Sequence, residues 1–190
     1  MSTRPRLVVG ISGSSGPHFG VRLLEVMKAR GTHEVHLVVT PGAALTMRHE
    51  MPERSLASIH ALADVVHDDR DLAAPIASGS FLHDGMIIVP ASMKTCGNLV
   101  ACNAGNLLVR AADVTLKERR TLVVVPREAP LHLGHLRILS SLAEIGAVVL
   151  PPAIAFYHRP KTLEDAVDHI VGKCLDSLKI PHDLFRRWGS

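Results

Sequence analysis

Arg6 to Gly16 reads RLVVGISGSSG, an apolar run that passes directly into a loop of glycine and serine. In Arg6–Ile11 the apolar residues are continuous rather than alternating, the pattern of a strand buried on both faces. Glycines at 10, 13 and 16 let the backbone turn its N–H groups toward an anion, and the serine hydroxyls add donors. A helix expected over Gly16–Arg30 puts the positive end of its dipole at the same place. The spacing is Gly-x-x-Gly-x-x-Gly, whereas dinucleotide folds use Gly-x-Gly-x-x-Gly. Taken alone, the loop reads as a phosphate cradle or as a plain tight turn.

Outward from that loop, apolar runs alternate with longer amphipathic stretches. Strands are expected at Glu34–Thr40, Val65–His67, Gly85–Pro90, Thr121–Val125 and Ala147–Leu150. Helices are expected over Gly42–Met51, Lys94–Ala104, Leu107–Glu118, Gly134–Ile145 and Thr162–Leu178, with another turn or two in Leu56–Ala63. Thr162 is placed to cap the last helix, with Asp165 in its first turn. Val/Ile/Leu strands alternating with helices indicate a parallel sheet covered on both faces, and such sheets bind ligands beyond the C-terminal ends of their strands. Repeats and linkers are absent from the pattern, so one α/β domain over residues 1–190 is expected.

Composition narrows the function. The chain has 190 residues, 47% of them apolar and 21% charged, enough for one full core. No apolar run approaches the ~20 residues that span a bilayer. The segment after Met1–Pro5 is too short for a signal peptide, so a cytoplasmic location is expected. Cys96, Cys102 and Cys174 are odd in number and lack Cys-x-x-Cys spacing, which points to buried reduced thiols and away from disulfides or zinc. A net charge of +3 with 3% aromatics is a poor match for a nucleic-acid binder. Small phosphorylated ligands account for it equally well, as does a surface charge without function. Twelve histidines invite a metal reading, but His132-Leu133-Gly134-His135 and His49-Glu50 match no ligand motif, and no metal is expected.

Three further strand ends carry chemistry. At the second strand's end a nicotinamide enzyme needs an acid for the ribose hydroxyls, and this chain has Thr40-Pro41, a hydroxyl suited to phosphate. The exit Pro90-Ala91-Ser92-Met93-Lys94-Thr95 offers hydroxyls and a cation; it equally reads as a capped helix start with a solvated lysine. Arg127-Glu128 stands between Pro126 and Pro130, where Arg127 can fork onto a phosphate and Glu128 can act as an acid or an orienting partner. The plain alternative is a surface ion pair. Lys117-Glu118-Arg119-Arg120 reads as a solvated helix end.

GISGSSG, SGSF (Ser78–Phe81), PASMKT, RAADVTLKERR (Arg110–Arg120), VPREAPLHLGHL (Val125–Leu136), EIGAVVLPP (Glu144–Pro152) and FYHRP (Phe156–Pro160) follow one another in an order that closely resembles the UbiX-type flavin prenyltransferases. The resemblance runs from about residue 6 to Trp188. It implies a flavodoxin-like or Rossmann-like three-layer sandwich assembled as a homododecamer. The implied activity joins a dimethylallyl group from dimethylallyl phosphate to N5 and C6 of reduced FMN, without a metal. The product would serve a UbiD-type decarboxylase.

Carried onto this chain, the resemblance assigns FMN to Gly13, Ser14, Ser15, Thr40, Ser92, Met93, Lys94, Thr95 and Arg127. It assigns the prenyl phosphate to Lys117, Arg127, Tyr157 and Lys173, and catalytic roles to Glu128, Glu50 and Ser15. Met93, Phe156 and Trp188 are candidates for an apolar lining that would protect carbocation character. The chain departs from the family at Thr40 (usually Ser), Lys173 (often Arg) and Ala91 (commonly Cys). A cysteine decarboxylase of the phosphopantothenoylcysteine type shares the fold, but its Pro-x-Met-Asn-x-x-Met-Trp stretch is missing. A non-catalytic flavin carrier would have no use for the second set of phosphate donors.

Overall fold

The computed structural model describes residues 4–189; residues 1–3 and 190 lie outside it. Among the described residues, six strands form one parallel sheet in the order β3-β2-β1-β4-β5-β6. The strands are β1 (Arg6–Ile11), β2 (Glu34–Val39), β3 (Val65–His67), β4 (Gly85–Ala91), β5 (Thr121–Pro126) and β6 (Val148–Val149). The helices are α1 (Pro17–Arg30), α2 (Pro41–Glu50), α3 (Leu56–His60), α4 (Met93–Val100), α5 (Leu107–Lys117), α6 (Leu133–Glu144) and α7 (Leu163–Ser177). This is a flavodoxin-like or Rossmann-like α/β sandwich. One unforeseen 3₁₀ turn, Pro75–Ala77, packs against α5.

Each central strand is buried on both faces because its side chains feed two separate cores. Leu7, Val9 and Ile11 join Val21, Leu24 and Met27 of α1 and Ile170, Val171 and Cys174 of α7 on one side. Val8, Met86, Ile88 and Val124 join Leu107, Leu108 and Ala112 of α5 on the other. That alternation explains why β4, in the middle of the sheet, is buried along its whole length. Lys28, in the last turn of α1, is exposed.

Strand order reverses between β1 and β4, since the chain first builds outward through β2 and β3 and then returns to the other side of β1. The loops leaving these two strands therefore diverge and open a crevice, the usual place for a ligand in this architecture. Gly16, in the left-handed region at φ 88°, turns the β1 loop into α1, and Pro17 opens the helix. At α7 the expected capping box is present: Thr162 accepts from the Asp165 N–H, and the Asp165 carboxylate accepts from the Thr162 N–H. Arg22 grips Asp168 with two hydrogen bonds of 2.6 and 3.1 Å and ties α7 to α1. No helix among the described residues is long and apolar enough to cross a membrane.

Candidate flavin-nucleotide site

The β1 loop is held from three sides. Ser12 turns inward: its Oγ donates to the Pro90 carbonyl at 3.2 Å and accepts from the Ser92 N–H at 2.7 Å, bridging the ends of β1 and β4. Glu50, at the end of α2, accepts from the Gly16 N–H at 2.8 Å and closes the loop's far end. Gly13 lies so close to Gly42 that a Cβ would sit 2.9 Å from the Gly42 carbonyl carbon, so only glycine lets the loop reach the start of α2.

Three helices begin at this edge, each with a hydroxyl cap. Thr40 accepts from the Ala43 N–H at 3.1 Å, and Ser92 accepts from the Thr95 N–H at 3.2 Å and meets the Thr95 hydroxyl at 3.1 Å. Asn106 caps α5 by accepting from the Val109 N–H. A cleft of about 360 Å³ lies among them, lined by Gly13, Thr40, Gly42, Ser92, Lys94 and Thr95 with Asp69, Asn98 and Asn106. Converging helix N-termini and hydroxyls suit a phosphate. The Ser14 hydroxyl beside it is buried without a hydrogen-bond partner among the described residues. A buried polar atom left unpaired is costly, and a bound anion would pair it. Hydroxyl donors, helix ends and this orphan fit the phosphate of a nucleotide.

Asp69, Asn98 and Asn106 are wall residues that the sequence reading missed. Asp69 is buried and accepts from the Leu108 N–H and the Asn106 side chain. Burial pushes its carboxyl above the ordinary aspartate value, against the pull of those two donors. Asn106 stands before a helical apolar pattern and could have been found as a cap; Ser12 differs from Ser14 only by which way it turns.

Arg127 and Glu128 line a second cleft of about 310 Å³ with Leu131, Pro151, Pro152 and Ala153. The Arg127 N–H donates to the Ala91 carbonyl, which sets this loop beside the β4 exit. The Glu128 carboxylate accepts from the Ala129 N–H, and no ion pair between Arg127 and Glu128 occurs among the described residues. Tyr157 instead packs on α7, where its hydroxyl lies 3.1 Å from His169 Nε2. Lys173 is one turn further along α7, 3.6 Å from Asp176. Lys117 pairs with Glu118 where α5 ends, whereas Arg127 follows β5, so a whole strand separates them.

Met93 is buried in the core rather than in either cleft, while Phe156 and Trp188 are 77% and 82% exposed. Arg120 is no solvated helix end, because its guanidinium donates to the Phe81 and Gly79 carbonyls. Cys102 is exposed, unlike Cys96 and Cys174, whose thiols burial pushes up to about 12. No group of three metal-ligating side chains converges among the described residues.

Comparison with known proteins bears on this geometry. The family model described as Flavoprotein matches residues 1–175. The flavin prenyltransferase UbiX of Escherichia coli K12 is 52% identical over 185 residues, covering 96% of this chain and 97% of that protein. A crystal structure of AnUbiX (PadA1) in complex with FMN and dimethylallyl pyrophosphate superposes with a TM-score of 0.95 at 42% identity, covering 98% of each chain. A dodecameric FMN-dependent UbiX-like decarboxylase from Escherichia coli O157:H7 gives 0.94 at 44% identity, covering 97% of this chain and all of that one.

Proposed function

The chain belongs to the UbiX-type flavin prenyltransferases of the flavoprotein family, and from that premise we propose that it joins a dimethylallyl group from dimethylallyl phosphate to reduced FMN. The observation that carries this reading is the phosphate-suited cleft at the β1/β4 reversal, with the unpartnered Ser14 hydroxyl next along the chain from its Gly13 wall, and a separate cleft bearing Arg127. One phosphate site would serve a flavin carrier; two donor sets suit a transfer between phosphorylated partners.

In this reading Gly13, Ser14, Ser15, Thr40, Ser92, Lys94 and Thr95 hold the FMN phosphate and ribityl chain, and Met93 contributes backbone only, its side chain being buried. Reduced FMN, when bound, supplies the nucleophilic N5 and C6 that accept the prenyl group. The protein's task is then to stabilise the departing phosphate, exclude water and manage protons. Arg127, Tyr157 and Lys173 supply donors to the phosphate. Lys173 brings charge without the bidentate fork of arginine. Glu50 uses Oε2 on the Gly16 N–H, which leaves Oε1 to hold a proton beside the flavin. Glu128 Oε1 is oriented by the Ala129 N–H and leaves Oε2 for the same work. Ser15, in the loop between them, is a third candidate for holding a proton.

Lys117 lies at the opposite end of β5 from Arg127, so its place in the reading is in the site of a neighbouring copy. The dodecameric relative supports a homododecamer. The whole chain, residues 1–190, acts as one flavin-binding domain in the cytoplasm and passes its product to a UbiD-type decarboxylase.

The test is anaerobic incubation of the protein with reduced FMN and dimethylallyl phosphate, followed by mass spectrometry of the flavin. A gain of one prenyl unit is expected; an unchanged mass with FMN demonstrably bound defeats the reading. Glu128→Gln should retain FMN and slow turnover at least tenfold, about 1.4 kcal/mol of transition-state stabilisation. Loss of FMN instead would make Glu128 a structural residue.

A further inference from the structure

Tyr157 is the only tyrosine of the chain, and its hydroxyl has one hydrogen-bond partner among the described residues, His169 Nε2 at 3.1 Å. His169 sits on the inner face of α7, 94% buried by its 6% exposure. Its ring cannot turn freely. His158 stacks on it at 4.6 Å with planes 9° apart, Phe185 lies against it at 4.8 Å, and Tyr157 meets it edge-on at 5.7 Å.

The ring's other nitrogen, Nδ1, is buried with no partner among the described residues. That asymmetry favours one tautomer over the other. A neutral imidazole carries one hydrogen, and placing it on Nδ1 would bury an unmade N–H donor. Leaving a bare lone pair there costs less, because orphaned buried donors are rarer than under-used acceptors. On that ground the hydrogen is assigned to Nε2, where it points at the tyrosine oxygen. With the hydrogen there the phenol accepts the bond, and its own hydrogen is left to turn away from His169.

We propose that His169 is a positioning residue: its Nε2–H bond to the Tyr157 oxygen aims the tyrosine hydroxyl outward as a donor to the departing prenyl phosphate. This rests on the transferase reading and adds to it a residue from outside both clefts. The neutral state has independent support, since burial first, then the neighbouring charges of His158 and Lys173, hold the His169 imidazole below the ordinary histidine value, against the pull of Asp176. The charged and titratable groups around the pair are Lys173 and Asp176 on α7, His158 in the preceding loop and Arg187 in the C-terminal segment.

Two measurements on the full-length protein test it. Nitrogen-15 spectra of the histidine side chains, with the His169 signals assigned by their loss in His169→Gln, should show a protonated Nε2 and a bare Nδ1. They should shift when Tyr157 is replaced by Phe. A protonated Nδ1 overturns the proposal. In the prenylation assay His169→Phe should lower kcat several-fold and leave FMN binding and the KM for dimethylallyl phosphate near wild type. His169→Gln places an amide N–H where Nε2–H stood and should recover most of that loss. In a Tyr157→Phe background, His169→Phe should change nothing further. Equal losses for Phe and Gln, or additive losses in the double variant, would make His169 a packing residue only. If wild-type protein leaves the flavin unprenylated, the transferase reading fails, and the nitrogen spectrum still decides the state of His169.

Discussion

Ser14 shows what a single hydroxyl reveals. Its oxygen is buried and unpaired among the described residues, so it costs the flavin-free protein stability and is available to a ligand. Ser14→Ala should leave the thermal midpoint of the flavin-free protein unchanged or raise it. It should weaken FMN binding by about ten- to a hundredfold, the worth of ~1.5–3 kcal/mol for a hydrogen bond to a charged group. Calorimetry with and without FMN separates the two effects, and a fall in both would mean that the hydroxyl is structural. At this scale the sequence was partly legible. Residue type and strand-end position singled out Thr40, Ser92 and Thr95, which line the cleft, because capping and phosphate binding favour the same hydroxyls. Direction was not legible: three serines in four residues differ only in orientation, and Ser12 turned to Pro90 and Ser92. Asp69 was hidden because an acid at a phosphate cleft makes sense only once its tie to the start of α5 is visible.

Helices and strands were the most legible level, since two-faced burial writes continuous Val/Ile/Leu runs into the sequence. Boundaries moved by a residue or two where caps decide them: Thr40 leaves the strand to cap α2, and Ser92 caps α4 so that this helix begins at Met93 rather than Lys94. The fourth helix ends at Val100 rather than Ala104, because Ala101–Ala104 turn back through local backbone bonds and Cys102 adopts φ 52°. The Pro75–Ala77 turn carries no periodicity and went unforeseen. The capping box of α7 gives a prediction proper to this scale. Thr162→Ala removes the acceptor for the Asp165 N–H and should cost about 1 kcal/mol in urea unfolding. FMN affinity should be unaffected, because no wall of the cleft is built from α7.

For the molecule as a whole, two behaviours follow. α6 buries only Leu142, while Leu133, Leu136 and the adjoining Ile145 remain exposed on the chain alone. A helix of that composition belongs against another surface. Sedimentation should show a species many times heavier than the 20.5 kDa chain, and Leu136→Asp should shift it to smaller assemblies. The second behaviour is acid sensitivity. Burial holds His33, His60, His67 and His83 below the ordinary histidine value of 6.5, so they bind protons more readily unfolded than folded. Their contribution is complete above 6.5 and is lost as pH falls through their lower folded values. Burial raises the Asp64 and Asp176 carboxyls, but the Val35 N–H and Arg4 outweigh it at the first, and Arg187 and His182 at the second, holding both below 3.8. Those contributions go at still lower pH. Urea midpoints should therefore fall in two stages on acidification, and a midpoint independent of pH through the first stage would contradict the burial of these rings.

The Ser12 bridge to the end of β4 joins positions 78 residues apart. A chain growing on the ribosome completes β1, β2 and the glycine loop long before Pro90 exists, so the loop waits without its opposite wall. The cleft can close only after β4 has slid in beside β1, and flavin captured then favours the finished sheet over every earlier state. Supply of the nucleotide would thus add to the stability of the closed sheet by mass action.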